Sequence, residues 1–141
     1  IVSGCYKKVT HTLQTTLGII ERIAARYPLV LVTNFYGNMP VVLKEFGLGN
    51  YFPTIVESSV VGLRKPNPAL FALGVEALRL SPEEILVVGD SYSKDIYPAR
   101  TLGCKAVWLK NICWAPEAVM PEAIPTAIIK SLEELPALLA L

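Results

Sequence analysis

Ile85-Leu86-Val87-Val88-Gly89-Asp90-Ser91-Tyr92-Ser93-Lys94-Asp95 is the stretch on which the fold turns. Residues 85 to 88 are wholly apolar and mostly β-branched. A short run of this kind, with nothing polar in it, reads as a strand buried on both faces of a parallel sheet. Gly89 ends the run and delivers Asp90, and Asp95 opens a helix expected to about Leu102, stopped by Gly103. Strand, polar turn, helix is half of a βαβ unit.

The same grammar extends outward in both directions. Upstream, Leu29 to Thr33 is a second apolar run, bounded by Pro28 and Asn34, and Thr54 to Glu57 is a third strand. The segment from Thr10 to Arg26 reads as an amphipathic helix, with Leu13, Leu17, Ile20 and Ala24 on its inner face. A helix from Met39 to Phe46 follows the first strand, with Asn38 as its N-cap and Gly47 as its stop. Asn67-Pro68 starts another helix to about Arg79, and Ser81-Pro82-Glu83-Glu84 is a capped turn. Downstream come strands at Ala106 to Leu109 and Ala127 to Ile129, then the capping box Ser131-Leu132-Glu133-Glu134 before a last helix. The alternation predicts an α/β fold, a three-layer Rossmann-like parallel sheet flanked by helices, with ligands bound at the carboxyl ends of the strands.

Composition narrows the function classes. The chain has 141 residues, of which 52% are hydrophobic and 18% charged, enough for one domain. Residues 10–141 are expected to form it. The mean hydropathy of +0.46 is high, yet no apolar run approaches the roughly 18 residues of a membrane helix, so no membrane association is expected. With 13 Lys+Arg against 12 Asp+Glu, and no basic cluster interleaved with aromatics, nucleic acid is not an expected partner either. Cys5, Cys104 and Cys113 lack CxxC or zinc-like spacing and read as reduced thiols of a cytoplasmic protein. The start at Ile1 carries neither a signal peptide nor an initiator methionine, and the expectation is that sequence upstream has been removed.

Glu outnumbers Asp ten to two, and both aspartates fall on the one strand-to-helix loop. Two short carboxylates so placed either share a cation such as Mg²⁺, which takes oxygen ligands, or close a turn and cap a helix. Lys65, between Arg64 and Pro66, either neutralises a phosphoryl or carboxylate oxygen or is a solvated surface group. Thr33 and Asn34 offer a hydroxyl, an amide and main-chain N–H groups at a strand end, which suit a phosphoryl group or a simple turn. His11 reads as a surface or capping residue, and Trp108 and Trp114 as packing residues.

The ordered set Val32-Thr33-Asn34, Arg64-Lys65-Pro66-Asn67-Pro68 and Val87-Val88-Gly89-Asp90-Ser91, closed by Asp95, resembles the haloacid dehalogenase-like (HAD) superfamily over about residues 29 to 110. The resemblance implies that Thr33 binds the substrate phosphoryl group with Asn34, that Lys65 steadies the nucleophile and the phosphoryl charge, and that Asp90 and Asp95 coordinate Mg²⁺. It also exposes a departure. The family's first motif, an Asp-x-Asp pair supplying nucleophile and general acid–base, is nowhere in these residues. That motif ends a strand which in the family lies between the strands placed here at 29–33 and 85–89.

The resemblance therefore implies a Mg²⁺-dependent phosphatase acting on a small phosphorylated metabolite through an aspartyl-phosphate, with this chain alone inactive. It also implies residues 1–9 as a linker or the end of a cap region, and a seam open to the absent N-terminal segment or to another chain. A metal-independent 2-haloacid dehalogenase and a non-catalytic phosphate- or metal-binding module are the alternatives.

Overall fold

The computed structural model describes residues 14–35, 37–110 and 118–140. Leu13, His11, Cys5, Cys113, Trp114 and the segment 1–9 lie outside the described residues. A first helix, α1, covers residues 14–24. It is followed by β1 (Val30–Thr33), α2 (Met39–Glu45), β2 (Thr54–Glu57), α3 (Ser58–Val61), α4 (Pro68–Leu78) and β3 (Leu86–Gly89). A π-helical turn, Tyr92–Ile96, leads into α5 (Tyr97–Thr101), then β4 (Lys105–Leu109), β5 (Ala127–Ile129) and α6 (Leu135–Leu138).

All strand pairing is parallel, but it falls into two sheets, β1-β2 and β3-β4-β5. Among the described residues β1 pairs only with β2, and β3 only with β4. The strands on either side of this break are the ones between which the sequence reading left room for a further strand. Their burial agrees with an open seam. No residue of β1 is fully buried, and Val88 of β3 is 37% exposed, whereas β4, paired on both sides, buries Ala106, Val107 and Trp108.

Two helices reach across the break, one on each face. On one face α4 packs so closely on β1 that a Cβ on Gly74 would lie 2.9 Å from Val32 Cγ2. Its Val75 and Leu78 join the core of Ile85, Ile96, Ala99, Ala106 and Trp108. On the other face Ile19 and Ile23 of α1 join Val107, Ile129 and Leu135, with Leu29 before β1 and Leu86 of β3 packed alongside. The three-layer architecture is thus present, with α4 and α1 bridging two half-sheets.

Several local expectations are corrected. The inner face of α1 is centred on Ile19 and Ile23, with Leu17, Ile20 and Ala24 only partly buried, because burial on both sides of a narrow stripe is set by what the helix meets. Asn38 stands at the N-cap of α2 but makes no side-chain capping bond. The helix expected from Asp95 to Leu102 is divided: Ile96 N–H reaches back to Ser91 O at 3.3 Å, an i→i−5 bond, before α5 begins. Pro98 cannot donate to the carbonyl of Lys94, and its ring crowds that carbonyl, so the turn before it widens. Short α3 was not foreseen. Asn67 caps α4 as expected, accepting from Ala69 N–H at 3.0 Å. Among the described residues no helix is long and apolar enough to cross a membrane.

Candidate functional site

Thr33, Lys65 and Asp90 come from three separate segments, and two short links join them. Thr33 is the last residue of β1 and pairs in register with Glu57, the last of β2. Next to it, the Asn34 side chain grips the main chain of Lys65: Lys65 N–H donates to Oδ1 at 2.9 Å, and Nδ2 donates to Lys65 O at 3.5 Å. The Asn34 amide, expected at the substrate, is thus occupied in holding the Lys65 loop against the end of β1.

Lys65 supplies the second link. Its Nζ lies 2.6 Å from Asp95 Oδ1, with both side chains largely withdrawn from solvent, and 5.5 Å from the Phe71 ring centroid. A charge-assisted bond of this length and enclosure holds the ammonium in place. The other oxygen, Asp95 Oδ2, accepts from Ser91 N–H at 3.1 Å. Asp95 is only 4% exposed, so it faces inward as a brace, while Asp90 is exposed at the end of β3. The structure separates the two aspartates by burial and contacts, which their spacing alone did not.

The loop that carries them depends on one glycine. A Cβ on Gly89 would collide with the Cβ and carboxylate of Asp95, so the absence of a side chain at 89 is what lets Asp95 fold back over the strand end. Trp108 packs beneath the loop as expected, its ring 5.4 Å from that of Tyr92. It also does something not foreseen: Nε1 donates to Asp90 O at 3.2 Å. The Tyr92 hydroxyl accepts from Met120 N–H at 2.8 Å and donates to Ala123 O at 2.9 Å, tying the loop to the following segment.

Two further residues escaped the sequence reading. Glu57, buried at the end of β2, accepts from Gly37 and Met39 N–H, and Ser58 Oγ bonds the main chain of Phe35. Their one sequence signal is an acidic residue ending an apolar strand, Thr54-Ile55-Val56-Glu57. Away from the site, burial pushes the Cys104 thiol above its usual range; Glu83 adds to the effect and Arg100 opposes it.

The donor set can be tested against a metal ion. Among the described residues no three His, Cys, Asp or Glu side chains converge. What this chain offers is Asp90, an exposed hard oxygen donor at a strand end, backed by Asp95. That fits part of the shell of a hard cation which keeps several waters and uses one or two carboxylates.

Comparison with known proteins shows the family. A family model described as haloacid dehalogenase-like hydrolase matches residues 6–103. Phosphoserine phosphatase of Thermus thermophilus is 38% identical over 110 residues, covering 75% of this chain and 42% of that protein. Among solved structures, the HAD-hydrolase YfnB of Bacillus subtilis, bound to magnesium, superposes with a TM-score of 0.76 at 29% identity, covering 89% of this chain and 54% of its own. The 2-haloacid dehalogenase of Pseudomonas syringae gives a TM-score of 0.75 at 28% identity, with 87% and 50% covered. The chain therefore spans about half the length of the proteins it matches.

Proposed function

Because this chain belongs to the haloacid dehalogenase-like hydrolases, we propose that residues 10–141 form the greater part of the core of a Mg²⁺-dependent phosphatase acting on a small phosphorylated metabolite in the cytoplasm. The observation that carries the proposal is the linkage Asn34–Lys65–Asp95, which gathers a hydroxyl, an ammonium and the carboxylate loop at the carboxyl ends of β1 and β3.

In this reading the Thr33 hydroxyl donates to a phosphoryl oxygen, and the Lys65 ammonium offsets the charge that develops on the transferring group. Asn34 acts through Lys65 by fixing its main chain. Asp95 keeps the ammonium aimed through their 2.6 Å contact. Asp90 would hold Mg²⁺ with Asp95 behind it, and the bound ion would supply further neutralisation of phosphoryl charge. A carboxylate from outside this chain, on a strand seated between β1 and β3, attacks phosphorus. The bond to the leaving alcohol breaks as that alcohol takes a proton from the general acid of the same outside segment, and water, giving a proton back to that group, then hydrolyses the aspartyl-phosphate to release inorganic phosphate.

The magnesium-bound structural relative and the phosphatase relative support this reading, and the solved dehalogenase keeps a second one in view. The full-length protein separates them. It is expected to release phosphate from small phosphomonoesters, to lose that activity on EDTA treatment and to regain it with added Mg²⁺. Halide release from 2-haloacids that persists in EDTA would assign it to the dehalogenases instead.

A further inference from the structure

We propose that Glu57 is a positioning residue for the segment that follows Thr33, setting the shape of the phosphoryl-binding end of β1 without touching substrate. The inference rests on the reading of Thr33 given above. Glu57 is 3% exposed, and a carboxylate in such a place needs hydrogen bonds or a cation. Among the described residues no cation pairs with it. Instead Oε2 accepts from Gly37 N–H at 2.7 Å and Met39 N–H at 3.3 Å.

The geometry reaches back to Thr33. Gly37 has φ +100, a conformation that L side chains rarely adopt, and a Cβ there would approach Ser59 Oγ to 3.3 Å. Next along β2 and α3, Ser58 Oγ accepts from Phe35 N–H at 3.1 Å and donates to Phe35 O at 3.3 Å. Main-chain groups of residues 35, 37 and 39 are therefore all held from the end of β2, in register with Thr33. Glu57 thereby also satisfies the first N–H of α2, that of Met39. The charge on Glu57 opposes a phosphoryl group by repulsion. A side chain of the same shape without the charge should accordingly serve as well or better for binding.

Steady-state hydrolysis of p-nitrophenyl phosphate by the full-length protein tests this. Glu57→Ala is expected to raise KM about tenfold with kcat within about threefold. Amide hydrogen exchange at Gly37 and Met39 should become faster. Glu57→Gln, which keeps an acceptor oxygen, is expected to hold KM within about twofold of wild type or below it. Thr33→Ala is measured in parallel. If Thr33→Ala impairs turnover while Glu57→Ala leaves KM and the two amides unchanged, the positioning role is overturned and the reading of Thr33 stands. If Thr33→Ala changes nothing, both fall. A Glu57→Ala protein whose activity drops only in proportion to its unfolded fraction, at unchanged KM, assigns Glu57 to stability and overturns the proposal. Should Glu57→Ala not fold, Glu57→Asp, one methylene shorter, takes its place with the same expected split.

Discussion

Gly89 and Asp95 define how closely this site is built. The carboxylate of Asp95 lies over the Gly89 Cα, in space that any side chain would claim, and from there it meets both Lys65 Nζ and Ser91 N–H. Gly89→Ala should displace Asp95 and break both contacts together. Overpacking of this kind costs about 1 to 3 kcal/mol, so the thermal midpoint of the full-length protein should fall by several degrees, and phosphatase activity should fall further than folding explains. Circular-dichroism melts beside activity assays check this; an unchanged midpoint and activity would show that Asp95 can move aside freely. The glycine, both aspartates and Lys65 were all legible in the sequence. The different burial of the two aspartates was not, because spacing along the chain does not say which carboxylate turns inward.

The short elements depend on caps and prolines. At the start of α6, Glu134 accepts from Lys130 N–H at 2.6 Å and Ser131 N–H at 2.9 Å, and these bonds hold its carboxyl below the usual range. A group whose pKa is lowered by folding stabilises the fold above its ordinary pKa, and loses that effect as the pH falls through the lowered value. Glu134→Gln should therefore melt below wild type near neutrality, with the two curves converging as the solution is acidified. A gap that stays constant with pH would mean the charge has no part in the cap. Capping boxes are local, so this one could be read from Ser131 and Glu134 alone. The Asn38 cap failed for a local reason: Pro40 has no N–H to offer its side chain, and Val41 N–H bonds the Asn38 carbonyl instead.

For the whole molecule, the decisive feature is the break between β1 and β3, bridged by α4 on one face and α1 on the other. Unpaired strand edges beside an apolar seam invite pairing, and each unsatisfied buried main-chain group costs about 1 to 3 kcal/mol. Residues 1–141 expressed alone are expected to self-associate, with fast exchange at β1 and β3 amides. The full-length protein should be monodisperse, with those amides protected. Light scattering after size exclusion, beside hydrogen exchange, reads both. A stable monomer of 1–141 with protected β1 and β3 amides would overturn the placement of a strand in the seam.

By itself, the sequence determined the alternation of strands and helices, the parallel sheet, the three polar segments at strand ends and the lack of an Asp-x-Asp pair among residues 1–141, because hydrophobic period, caps and residue counts are properties of the chain in order. Only the tertiary structure decided that the sheet divides at β1 and β3, that Asn34 holds Lys65, that Asp95 braces while Asp90 stays exposed, and that Glu57 anchors the segment after Thr33. Each of these rests on contact between residues at least four positions apart, brought together by packing, and no one-dimensional pattern records which of several polar groups will meet.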